Sequence, residues 1–150
     1  MPAFSSRATG MPLLKPPYST ISAIDLNAGT IKWQIAHGET PDFVRNSPAL
    51  KGITIPRTGQ STYQIGTLVT KTMVVAGENQ VTTTPDRPRG AMLRAYDKTT
   101  GAELGAVFMP GPQSGSPMTY AVNGKQYIIV ATSGGTSSGE YVAYALPSKR

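Results

Sequence analysis

Apolar and polar side chains alternate with a period of two along most patterned stretches of this chain. Over residues 20–26 and again over 30–36 the alternation is that of strands with one face turned to a core. Asn27, Ala28 and Gly29 lie between them, so the two stretches read as a hairpin. Asp25 is placed to accept hydrogen bonds from the N–H groups of that turn, and Gly29 to take a positive φ. The pattern predicts further strands over 66–70, 72–77, 91–97, 102–109, 117–122, 125–132 and 140–146. Asn123 and Gly124 supply a two-residue hairpin turn within that series. No window holds a helical period, so little helix is expected. Residues 37–63 read as a long irregular section, broken by Pro41, Pro48 and Pro56, of the kind that carries function or covers something. Residues 78–89 read as an exposed polar loop, and 134–139 as a flexible one.

The first hairpin returns. Ala23, Asp25 and Gly29 match Ala95, Asp97 and Gly101 at one constant offset, while Trp33 is matched by Gly105. A partial third copy has Ala143 in the leading position and Ala145 in place of the Asp. Repeated hairpins of this kind mark a modular β architecture whose units bury their faces against neighbours. Two strands precede the long section, four follow it and three close the chain. Four-stranded units with the repeated hairpin as strands three and four describe a β-propeller blade. The expected fold is therefore all-β: the end of one blade, one whole blade and most of a last one over 19–147. Residues 1–18 form an extended approach and 148–150 a tail. The fourth strand of the last unit is expected from the opposite end of a closed ring.

Composition narrows the function classes. The 150 residues hold 16 Gly and 13 Pro, which suits short strands joined by turns. The net charge of +6 is spread along the chain, without the concentrated stripe that a nucleic-acid partner requires. Absence of Cys removes disulfides and thiolate metal sites. The longest apolar run, 127–131, is the length of a strand, and residues 1–6 carry neither the basic nor the apolar region of a secretory signal. His37, the only histidine, reads as a surface loop residue, with Glu39 and Asp42 merely near it in sequence. Asp86, Asp97 and Glu103 form no metal-ligand pattern. Gly111 to Gly115 do not form a nucleophile elbow, and 134–139 lack the lysine of a phosphate loop.

The frame from Ala23 to Trp33 resembles the tryptophan-docking motif of quinoprotein dehydrogenases that use pyrroloquinoline quinone (PQQ). Gly66 to Thr70, Leu93 to Gly101, Ser116 to Tyr120 with Gly124 to Tyr127, and Tyr141 to Pro147 extend the likeness. Together they are most similar to the C-terminal part of the glucose/quinate type. The resemblance implies about two blades of a roughly eight-bladed propeller, in a periplasmic and possibly membrane-anchored parent that oxidises a sugar, polyol or alcohol. It implies PQQ and calcium as cofactors, a quinone or cytochrome as electron acceptor, and the remaining blades as partners of this segment. The family's catalytic and metal-binding residues lie outside the matched stretches, so a fragment of this size is expected to be inactive and to bind PQQ weakly or not at all.

Two stretches map to where relatives approach the quinone carboxylates: Tyr63, Gln64 and Gly66, and Gly134, Gly135 and Thr136. Each reads either as a backbone anion cradle or as a plain turn. Relatives of the glucose type often have His where Thr136 stands, which argues against glucose as substrate. Trp33 is expected to wedge between neighbouring sheets, its N–H on a main-chain acceptor, rather than to stack on a ligand. A non-catalytic propeller scaffold, like the outer-membrane assembly lipoproteins that share the repeat, is the alternative; a β-sandwich grown from blade fragments is a third.

Overall fold

The computed structural model describes residues 5–6, 9–60, 65–134 and 137–147. They form three antiparallel sheets in chain order. The first is the hairpin β1 (Thr20–Asp25) and β2 (Thr30–Ala36). The second runs β3 (Leu68–Val69), β4 (Met73–Gly77), β6 (Arg87–Asp97) and β7 (Glu103–Met109), with the short β5 (Thr82–Thr84) folded against the start of β6. The third is β8 (Met118–Val122), β9 (Lys125–Gly134) and β10 (Ser137–Ala145), with β10 at its edge. The main strands number two, four and three in the three sheets, in up-and-down order. A single turn of helix, α1 (Asp42–Arg45), and a 3₁₀ turn at Pro48–Leu50 occupy the long section.

The repeat predicted from the sequence is structural to the level of register. Ala23 pairs with Trp33 and Ala95 with Gly105, and in each hairpin the register shifts immediately after that Ala. In both turns one carboxylate oxygen gathers two N–H groups: Asn27 and Ala28 donate to Asp25 at 3.0 and 3.1 Å, Thr99 and Thr100 to Asp97 at 2.9 and 2.8 Å. Those N–H bonds hold both aspartates below the usual carboxylate range.

Within the second sheet the inner strands are covered on both faces, β4 almost continuously, while β7 is exposed up to Met109. Its odd positions, Val75, Ala91, Leu93 and Ala95, pack with Met109 against Val130, Ile128 and Tyr144 of the third sheet. Its even positions, Arg94 and Tyr96, turn towards residues that follow β2.

At the first seam Trp33 lies half-buried, donating Nε1–H to the Lys98 carbonyl at 3.0 Å. Its ring covers Gly101, where an added Cβ meets indole carbons at 2.8 Å and φ is +77°. At the second seam Gly105 leaves an apolar hollow of about 500 Å³, bordered by Val107, Tyr144 and Leu146. There the Tyr144 hydroxyl donates to the Phe108 carbonyl at 2.8 Å.

Three expectations change. Residues 78–89 are no exposed loop: Glu78 is fully buried and β5 and β6 cross the segment. Pairing of β9 and β10 reaches Gly134 and Ser137, so the predicted 134–139 loop is strand at both of those positions, and 135–136 lie outside the described residues. His37 is buried, as described below.

Gly101→Ala places a Cβ on the indole and a side chain at positive φ, and is expected to lower stability by about 2–3 kcal/mol. Denaturant unfolding measures the loss, and a red shift of the single tryptophan's emission reports that the ring has left its seat.

Candidate functional site

One end of the second and third sheets opens into a cleft of about 770 Å³. Its wall comes from the approach to β3, the segment after β4, the start of β6, the β7–β8 connection and the end of β9. In an antiparallel blade these points lie at the same end of the sheet, so the topology alone gathers them. Gly66 and Gly134, from the two stretches singled out in the sequence, both line this cleft. Tyr63, Gln64, Gly135 and Thr136 lie outside the described residues. Gly66 is there because nothing larger fits: an added Cβ sits 1.9 Å from the Ser116 hydroxyl oxygen.

Gln113, which the sequence did not mark, holds the wall together. Its Oε1 accepts from the Gly77 N–H at 2.6 Å and its Nε2 donates to the Gly66 carbonyl at 2.8 Å. Its own N–H donates to the Glu78 carbonyl, and it bridges to Thr132 of β9. Through its side chain and its main chain Gln113 thus ties its own connection to three other segments around the cleft. Only its position in a Gly/Pro-rich connection hinted at it.

Behind the wall lies His37. Nε2–H donates to the Gly77 carbonyl at 3.1 Å, which fixes the neutral tautomer and leaves Nδ1 to accept the Tyr96 hydroxyl at 2.9 Å. Glu39 and Asp42 do not touch its ring. Burial holds His37 below its ordinary value and pushes the Tyr96 phenol up. His37 is a satisfied core residue whose partner lies 59 residues away, beyond any local signal.

Beside it Arg94 donates to Glu78 at 2.7 Å, Glu39 at 2.8 Å and Glu103 at 3.1 Å. Glu78 also accepts the Glu39 and Met92 N–H groups, both at 3.1 Å. Burial pushes the Glu78 carboxyl up, and the Arg94 guanidinium pulls it back. Among the described residues no group of three or more His, Asp or Glu side chains is arranged to hold a metal.

The family model described as "Glucose/ethanol/alcohol dehydrogenase, beta-propeller domain" matches residues 2–128. This chain belongs to the PQQ β-propeller family. It is 36% identical over 149 residues to a "Probable quinate dehydrogenase (quinone)" of Xanthomonas campestris pv. juglandis, covering 93% of this chain and 17% of that protein. To "Quinoprotein glucose dehydrogenase A" of Acinetobacter calcoaceticus it is 32% identical over 149 residues, covering 94% and 17%. To the "Glycerol dehydrogenase large subunit" of Gluconobacter oxydans it is 31% identical over 157 residues, covering 98% and 19%. The chain thus spans less than a fifth of the length of the curated relatives it matches. No solved structure matches it. The sheets of this PQQ-family chain are the partial propeller read from its repeats.

Gln113→Ala strips partners from two main-chain groups and is expected to cost about 2–3 kcal/mol, measured by chemical denaturation. His37 gives a pH signature. Its folded value lies below its ordinary 6.5, so the unfolded chain takes the proton first. The stability due to the neutral ring is complete above about pH 6.5 and declines as pH falls towards the folded value. The difference in unfolding free energy between wild type and His37→Gln is therefore expected to shrink from about pH 7.5 to about pH 5. The raised Glu78 acts in the opposite sense but is common to both proteins and cancels.

Proposed function

We propose that this chain is the C-terminal part of a PQQ-dependent dehydrogenase that oxidises a sugar, polyol or alcohol in the periplasm and passes electrons to a quinone or cytochrome. The observation that carries the reading is the cleft: Gly66 and Gly134, far apart in sequence, line it together. Its volume suits a bound cofactor with a small substrate. Gly66 brings bare main chain to the cleft wall, and Arg89 stands there as a cation for a carboxylate. When bound, PQQ supplies a quinone that accepts the hydride equivalent of the alcohol carbon. The role of this chain is to shape one side of that site, excluding water and orienting carboxylates. Calcium, if it belongs to the site, finds no donor set among the described residues. By family likeness Tyr63, Gln64, Gly135 and Thr136 are proposed as cofactor-binding residues together with Gly66 and Gly134.

Residues 19–147 are assigned to the propeller, with 1–18 leading in and 148–150 trailing. The remaining blades of the parent are the partners, since each flank leaves apolar residues uncovered: Ile24 and Ile31 on the first hairpin, Met118, Val122 and Tyr141 on the third sheet. No helix of the described residues is long and apolar enough to cross a membrane.

The test is dye reduction with PQQ and calcium, offering glucose, quinate and glycerol in turn to the 150-residue chain and to the longest natural chain that contains it. Turnover is expected from the longer chain and none from the shorter. A longer chain that folds, yet neither binds PQQ nor reduces dye with any substrate, replaces this reading with the scaffold one.

A further inference from the structure

The second and third units differ at the cleft. In the third, β9 and β10 are paired up to Gly134 and Ser137. In the second, the corresponding connection from β4 to β6 carries an added strand, β5, folded back on β6 as a hairpin. That hairpin sets Arg89 on the cleft wall, where it is the sole charged residue among the described lining residues. The guanidinium is held from behind. Its Nη1 donates to Asp42 of α1 and to the Thr83 hydroxyl, and Asp42 also accepts the Thr83 N–H at 2.8 Å. Both side-chain bonds run through one nitrogen, and 59% of the Arg89 side chain stays exposed. A planar five-donor fork, braced on one side and open on the other, matches a carboxylate. Asp42 engages one of its nitrogens from behind, and no acidic side chain lines the cleft itself among the described residues.

We propose that the β5–β6 hairpin makes this cleft selective for a carboxylate-bearing ligand, with Arg89 as the recognising cation and Asp42 as its positioning residue. The inference rests on the cleft being the cofactor and substrate site. The carboxylate has two possible sources: an acidic polyol substrate, or PQQ itself. Quinate represents the first, and its methyl ester is the uncharged control of nearly equal shape.

The experiment is isothermal titration of the longest natural chain containing this sequence with quinate, methyl quinate and free PQQ, for wild type, Arg89→Gln and Asp42→Asn. Circular dichroism reports whether each variant is folded. Wild type is expected to bind quinate about tenfold or more tightly than the ester, the scale of one charge-assisted contact. R89Q removes that preference, and D42N, which keeps the cation but frees it, removes part of it. A tenfold loss in R89Q confined to PQQ equally supports carboxylate recognition and assigns it to the cofactor. Equal binding of acid and ester, together with PQQ binding within twofold in both variants, overturns the proposal. Should Arg89→Gln not fold, the D42N comparison decides by the same criteria. Dye reduction on the same samples separates the two readings: acid preference without PQQ-dependent turnover sinks the redox function and leaves the recognition intact.

Discussion

A strand covered on both faces has no place for a hydrated charge, yet Arg94 stands in β6 of the second sheet, 4% exposed. The guanidinium is tolerated there because three carboxylates converge on it and the most buried of them, Glu78, also collects two main-chain N–H groups. Removing one member leaves an uncompensated charge in the interior, so the segment after β2, the end of β4 and the start of β7 are locked to β6 as a set. Glu78 also carries the constraint outwards, since its carbonyl receives the Gln113 N–H and Gln113 fixes the cleft wall. The site is thereby built on a rigid polar spine.

The fold was largely legible in the sequence because its strands alternate and its turns repeat. Ala23 to Trp33 and Ala95 to Gly105 declared a hairpin of fixed register, and the same pairing and the same shift appear in both. The cleft was legible only in part. Gly66 and Gly134 were found through family likeness, whereas Gln113, Glu78, Arg94 and His37 escaped because what defines them is a partner distant in the chain. A lone polar residue in a turn-rich segment looks solvated until its counterpart is known. The β5 hairpin escaped for a different reason: Pro85 and Pro88 flank a polar run that reads as loop, and pairing to β6 is a tertiary gain.

Cleft and spine also explain how the segment 37–60, with little regular structure, is held in place. Its His37 and Glu39 insert into the even-numbered face of β6, its Gln60 receives the Gln80 N–H, and its Asp42 braces Arg89. Each bond joins it to the second unit, so it acts as packing between units as well as connection.

The two seams between units are fastened from opposite sides. An indole reaches forward from β2 at the first, while at the second, where glycine stands in its place, a phenol reaches back from β10. The phenol sits at the edge of a seam that already buries Val75, Leu93 and Met109 against Val130 and Ile128, whereas the indole holds a seam lined mostly by polar contacts. The first seam therefore hangs on one ring, while the second keeps its buried apolar contacts even without its hydroxyl.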